Sequence, residues 1–361
     1  MCSNNTNNYL SYEDFIKGLC NNNEIKKYIY SNRSTSDFEK NVFINQLKDA
    51  FCQYNEDEND KNKKWFKNQL ECIQKFNYIQ NDDQVRNYVS IIGELQIYGL
   101  LIRSLFGFGL EHKKVEDGIK TSDFIYKDNK NKQVNIEIAT FLGTNKEEKL
   151  ISNHTDDSKE IYPFSKPQKI NENDLSGLIS MLNNIKQEDE QFNEKYINIL
   201  VINLVSPLYK NLPFNFFEER YKPYYIYKCP DNAICIGGVW QAFYSKKGDN
   251  IFYSIGVTDK IEQEVYKMPY NSRFNKSPDE KYSIVDFAII NTYEGVVIYQ
   301  NFNRKIEIPK HIYKCLMSLD NINIDNVWLN FPINNLEERV NYYRELGEAY
   351  LMEAKESKSY V

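Results

Sequence analysis

Three carboxylates stand apart from the other acidic side chains because of what surrounds them. Glu94 lies in the run GELQIYGLL, with Ile91, Ile97, Tyr98 and Leu101 around it at helical spacing. A carboxylate set in an apolar stripe loses hydration, which is costly unless a cation or a hydrogen-bond donor meets it. Asp123 in TSDFIYK and Glu137 in VNIEIAT belong to two strand-like runs joined by DNKNK, a polar link of hairpin length. If that link is centred on Lys130, residues whose numbers sum to 260 face one another, and Asp123 stands opposite Glu137. Opposed side chains in an antiparallel pair have Cβ atoms roughly 4.5–5.5 Å apart. Two like charges at that spacing repel, and a divalent cation between them reverses the sign of the interaction. Mg²⁺, or Mn²⁺ in its place, takes hard oxygen ligands of this kind. The plainer alternative stays open: charged residues often mark the solvent face of a hairpin, and Asp123 could belong to the DGIKTSD turn.

The elements around these residues are readable. YEDFIKGLC, FEKNVFINQLKDAFCQY and KKWFKNQLECIQKF space apolar residues by threes and fours, so the first eighty residues read as helical. NEDENDKNKK at 55–64 reads as a solvated connector, and Lys63 to Lys67 as a surface helix with Trp65 and Phe66 turned inward. A long helix begins after Asn81 and ends near Gly107 or Gly109. GLEHKKVE, SDFIYK and QVNIEIA follow as strands, then a helix over DLSGLISMLNNIKQ and a strand over INILVINLV. Later strands are expected at AICIGGVW, NIFYSIGV, SIVDFAIIN and GVVIYQNF, with YEG at 293–295 as a turn and an amphipathic helix over 335–356. This order predicts a mixed sheet covered by helices. It divides into a helical region 1–80, an α/β core 81–310 and a helical region 311–361.

Glu94 in its helix, then TSDFIYK, then VNIEIAT, resembles the PD-(D/E)XK nuclease superfamily, which has a restriction-endonuclease-like fold. In that family a helix glutamate, a strand aspartate and an E-x-K on the next strand form a metal site. The resemblance extends over about residues 84–305. It implies that Glu94, Asp123 and Glu137 hold Mg²⁺ or Mn²⁺. Ser122 stands where the pattern has proline. The E-x-K lysine is missing, because the run is Glu137-Ile138-Ala139-Thr140. That lysine orients water and offsets charge on the phosphate, and alanine can do neither. Lys186 is the expected replacement, followed by Lys120 and Lys169, with Gln187 placed to position water.

The resemblance implies a metal-dependent phosphodiesterase that cleaves DNA rather than RNA, as a restriction or defence endonuclease. The helical ends would recognise the substrate, a second copy or a partner protein. The rival expectation is an inactive nuclease fold that binds nucleic acid or protein, and the blandest is an α/β protein with no site. A formal charge of −6 argues against coating nucleic acid by charge alone, so any nucleic-acid surface must be local. Glu111, His112 and Glu116 on the first strand, and the NSRFNKS loop at 271–277, read as exposed. The chain has 3 histidines, and its 7 scattered cysteines lack zinc-site spacing, so His-based chemistry and zinc are not expected. The cysteines read as reduced, structural thiols of a cytoplasmic protein. No signal-peptide pattern opens the chain, and no apolar run is long enough for a bilayer.

Overall fold

The computed structural model describes residues 12–14, 42–56, 59–75, 82–113, 122–128, 132–141, 182–185, 191–204, 224–225, 233–235, 238–255, 263–268, 270–276, 283–292 and 295–329. Helices α1 (Val42–Glu56), α2 (Asp60–Lys75) and α3 (Asp82–Arg103) precede strands β1 (Leu110–His112), β2 (Phe124–Lys127) and β3 (Gln133–Phe141). After β4 (Ile197–Leu204) come β5 (Tyr224–Tyr225), β6 (Ala233–Cys235), helix α4 (Gly238–Tyr244), β7 (Asn250–Ile255) and β8 (Gln263–Lys267). The described chain ends with β9 (Phe287–Thr292), β10 (Gly295–Gln300), helix α5 (Lys310–Met317) and β11 (Ile322–Trp328).

The main sheet has seven strands in the order β1-β2-β3-β4-β9-β10-β11, and β5 to β8 form a separate four-stranded antiparallel sheet. In the main sheet β1–β2, β2–β3 and β9–β10 pair antiparallel. The pairs β3–β4, β4–β9 and β10–β11 are parallel. The architecture is therefore α/β, a mixed sheet flanked by helices. No helix among the described residues is long and apolar enough to cross a membrane.

Strand periodicity sorts the side chains onto two faces. On β3, Val134, Ile136 and Ile138 join one hydrophobic cluster with Leu47 of α1, Phe66 of α2 and Leu95 of α3. Trp65 anchors that layer, with ring centroids 5.2 Å from Tyr98 and 4.9 Å from Phe124, both at edge-on angles. Such pairs add about 0.5–1.5 kcal/mol beyond area burial. The other face carries Asn135, Glu137 and Ala139. Further along the same sheet, α4 packs there, with Phe243 and Tyr244 against Tyr299, and Trp240 against Trp328.

Two devices fasten the helix layer. Glycines allow close approach: a Cβ on Gly99 would collide with the Gln46 carbonyl of α1, and one on Gly93 with the Thr140 side chain of β3. A chain of buried amides then crosses the layers. Gln46 and Asn291 exchange hydrogen bonds of 2.8 Å each. Asn291 also donates to Asn203 Oδ1 (2.9 Å), and Asn203 donates to Gln96 Oε1 (2.8 Å). All four residues are buried, so each hydrogen bond offsets a desolvation cost that its loss would expose.

Several expectations need correction. The helix after Asn81 stops at Arg103, and Ser104 then caps a 3₁₀ turn over Leu105–Phe108. AICIGGVW is not one strand: β6 ends at Cys235 and α4 begins at Gly238. Val239, Trp240, Phe243 and Tyr244 recur with a helical period, which an apolar run followed by glycines conceals. The connector at 55–64 is mostly helix: α1 runs to Glu56 and α2 starts at Asp60, capped by the Asn59 side chain, which accepts from Lys61 N at 3.0 Å. Region 311–361 is not wholly helical, because β11 pairs with β10. Nor do residues 80 and 310 mark packing boundaries, since α1, α2, the sheet and α5 share one cluster. Thiol chemistry differs too: Cys52 is disulfide-bonded, whereas Cys72 and Cys315 are free. The helix proposed for 335–356 lies outside the described residues.

Helix propensity alone would make Gly99→Ala stabilising by about 1 kcal/mol. The collision with the α1 backbone reverses that sign, and a loss of about 1–3 kcal/mol is expected from urea unfolding midpoints. Asn291→Leu strands the Gln46 and Asn203 amides and should cost about 2–4 kcal/mol in the same measurement.

Candidate metal and phosphate site

The β2–β3 ladder pairs Phe124 with Ile136 and Tyr126 with Val134, so paired numbers sum to 260. Continued by one position, this register sets Asp123 across from Glu137. The side chain of Asp123 reaches the same place, since its Oδ2 accepts from Ile138 N at 2.7 Å. Asp123 thus sits where β2 begins and β3 runs on without it, its carboxylate laid against the next strand's backbone. Glu137 occupies the middle of β3 beside Leu200 of β4 and is 0% exposed. A carboxylate at that depth is expensive to ionise unless cations or donors gather round it.

Glu94 is placed differently. It belongs to the helix layer, half-buried, where Gln69 Nε2 of α2 donates to its Oε2 at 3.3 Å. Its neighbour Gly93 rests on Thr140. Alternation along β3 puts Thr140 on the helix side and Glu137 on the other. Among the described residues no group of three or more His, Cys, Asp or Glu side chains is arranged to hold a metal ion. The register brings Asp123 and Glu137 together, and Glu94 stays in the helix layer, on the other side of the sheet from Glu137. Two adjacent carboxylates still fit Mg²⁺, which commonly takes one or two from the protein and completes its shell with water and substrate phosphate.

Lys186, Lys120, Lys169 and Gln187 lie outside the described residues, as does Glu116. At the E-x-K position Ala139 is buried and pairs with Ile202, which is also buried. The first strand is not simply exposed, as its sequence suggested: Glu111 and His112 are both half-buried. Glu111 is taken up by Lys61 at 3.1 Å and Lys127 at 3.9 Å. His112 stacks on Trp65, centroids 5.3 Å apart, with Phe124 edge-on at 5.6 Å. The 271–277 loop is not simply solvated, because Arg273 and Phe274 are buried and Arg273 donates to the Ile185 carbonyl.

One residue escaped the sequence reading. In β1–β2, Leu110 pairs with Tyr126 and His112 with Phe124, so the next position is Lys113 with Asp123. Lys113 N donates to Asp123 O at 3.0 Å, which extends the ladder to that point. Residues 114–121 intervene, and their length conceals this register in the sequence.

Burial against Trp65 lowers the His112 pKa from 6.5 to about 4. The folded protein therefore keeps this ring neutral while the unfolded chain protonates it. Its contribution to stability is complete above pH 6.5 and is lost as pH falls toward 4. Between pH 7 and 4.5 the unfolding midpoint of the wild type should fall further than that of His112→Phe, measured by urea titration at each pH. Asp286, whose pKa is raised by burial to about 6, acts in the opposite direction but equally in both proteins.

No protein-family model, curated protein or solved structure matches the chain.

Proposed function

We propose that the chain is a metal-dependent phosphodiesterase of the PD-(D/E)XK kind, acting on DNA. The observation that carries this reading is the β2–β3 register, which continued by one position sets Asp123 across from the fully buried Glu137. Further support comes from the order in which the elements arrive: a long helix bearing Glu94, an antiparallel hairpin bearing the pair, then a parallel strand.

Asp123 and Glu137 would hold Mg²⁺ or Mn²⁺. The ion supplies Lewis-acid polarisation of a phosphate oxygen and lowers the pKa of water. The protein's own part is geometric. The bond from Ile138 N fixes one oxygen of Asp123, and the strand backbone fixes Glu137, so the pair is positioned before substrate arrives. Hydrolysis forms one bond from a water oxygen to phosphorus and breaks one phosphorus–oxygen ester bond. The water loses a proton and the departing sugar oxygen gains one.

Ala139 and Ile202, buried at the E-x-K position, favour a second reading: a nuclease fold that binds nucleic acid or a protein partner without cutting. Purified protein is incubated with plasmid, single-stranded DNA or RNA in Mg²⁺ or Mn²⁺, beside Asp123→Ala. The enzyme reading expects DNA cleavage in the wild type, lowered at least a hundredfold in the variant. Binding without cleavage, equal in both proteins and independent of metal, would replace it with the second reading. Restriction or defence as the biological role would follow from sequence-selective cutting.

A further inference from the structure

We infer that Lys113 is the phosphate-contacting cation of this site and takes the place of the lysine that the Glu137 strand lacks; the inference rests on the nuclease reading above. Two antiparallel registers carry it. Residues paired across β1–β2 sum to 236 and those across β2–β3 sum to 260, which sets Lys113, Asp123 and Glu137 in one row across three neighbouring strands. The hydrogen bond from Lys113 N to Asp123 O extends the first ladder to that row, and the bond from Ile138 N to Asp123 Oδ2 holds the Asp123 carboxylate against β3.

Directly opposed residues project to the same face of a sheet. Adjacent strands lie about 4.8 Å apart, so Lys113 and Glu137 flank Asp123 at a separation that a phosphate group and a lysine side chain together can bridge. Lys113 is half-buried, and among the described residues it makes no ion pair. The nearest carboxylate along its own strand, Glu111, is already met by Lys61 and Lys127. The ammonium is therefore available to an incoming anion. Two carboxylates and a lysine in one row suit a phosphodiester bridged by a divalent ion: the carboxylates would take the metal, and the lysine would reach a non-bridging phosphate oxygen. A lysine carried on β1 does the electrostatic work that Ala139 cannot, without having to displace Ile202.

Lys113→Met, Lys113→Arg and the surface control Lys132→Met are compared in two assays. The first is cleavage of DNA in Mn²⁺. The second is binding of a short duplex in Ca²⁺ at several salt concentrations. Lys113→Met is expected to lose about a hundredfold in cleavage rate and to reduce the slope of log K against log salt by about one. Lys113→Arg keeps the charge and should retain the slope with most of the rate, which separates the charge effect from misfolding, and Lys132→Met should match the wild type. The inference is overturned if the wild type cuts, Asp123→Ala does not, and Lys113→Met keeps both rate and slope, or if Lys186→Met loses them instead. If the wild type cuts nothing, or Asp123→Ala still cuts, the nuclease reading falls and the role of Lys113 falls with it.

Discussion

The hairpin register between β2 and β3 is the constraint from which the rest follows. Side chains alternate along a strand, so a slip of one residue would exchange the faces of every position on β2 relative to β3. In the observed register Phe124 and Ile136 meet on the helix side and contribute to the main core. The same pairing leaves Asp123 and Glu137 as neighbours. Hydrophobic burial and the placement of charge are thus set by a single choice, and the large apolar term selects it. Burying Phe124 and Ile136 stabilises by about 2 kcal/mol each, which is ample to hold two carboxylates side by side against their repulsion.

Depth explains why that arrangement is tolerated. Glu137 is held in mid-strand by eight parallel pairings between β3 and β4. A carboxylate held at that depth needs donors or cations around it. Asp286 is a second buried carboxylate of the same sheet, and its partners are plain. Arg304 Nε lies 3.1 Å from its Oδ1 and Asn198 N donates to its Oδ2 at 2.8 Å. These two groups answer its charge, and the carboxylate serves to tie β4, β9 and the chain after β10 together.

Much of this was legible in the sequence, and for identifiable reasons. The DNKNK link is short and polar, so the hairpin register could be counted directly. INILVINL is apolar but for Asn198 and Asn203 and reads as a fully buried strand, as it proves to be. What stayed hidden depended on distance along the chain. The pairing of Lys113 with Asp123 lies across residues 114–121, which fix no register by length. The strand Ile322–Trp328 has polar residues within it and joins only the edge of the sheet beside β10. The helix at Gly238–Tyr244 is short, and two glycines beside an apolar run imitate a strand end. Side-chain layer was equally obscure for Glu94: helical spacing identified an apolar stripe, but not that Gln69 of α2 would occupy the space beside it.

The amides that lock α1 and α3 to β4 and β9 are uncharged, and they are sealed from water. Counterions screen ionic attractions but do little to a neutral, enclosed hydrogen bond. That contact between layers is consequently insensitive to ionic strength, whereas any grip on a polyanion is sensitive to it. Brine strong enough to strip such a ligand away would leave the helices seated on their sheet, so that release and denaturation are governed by separate forces.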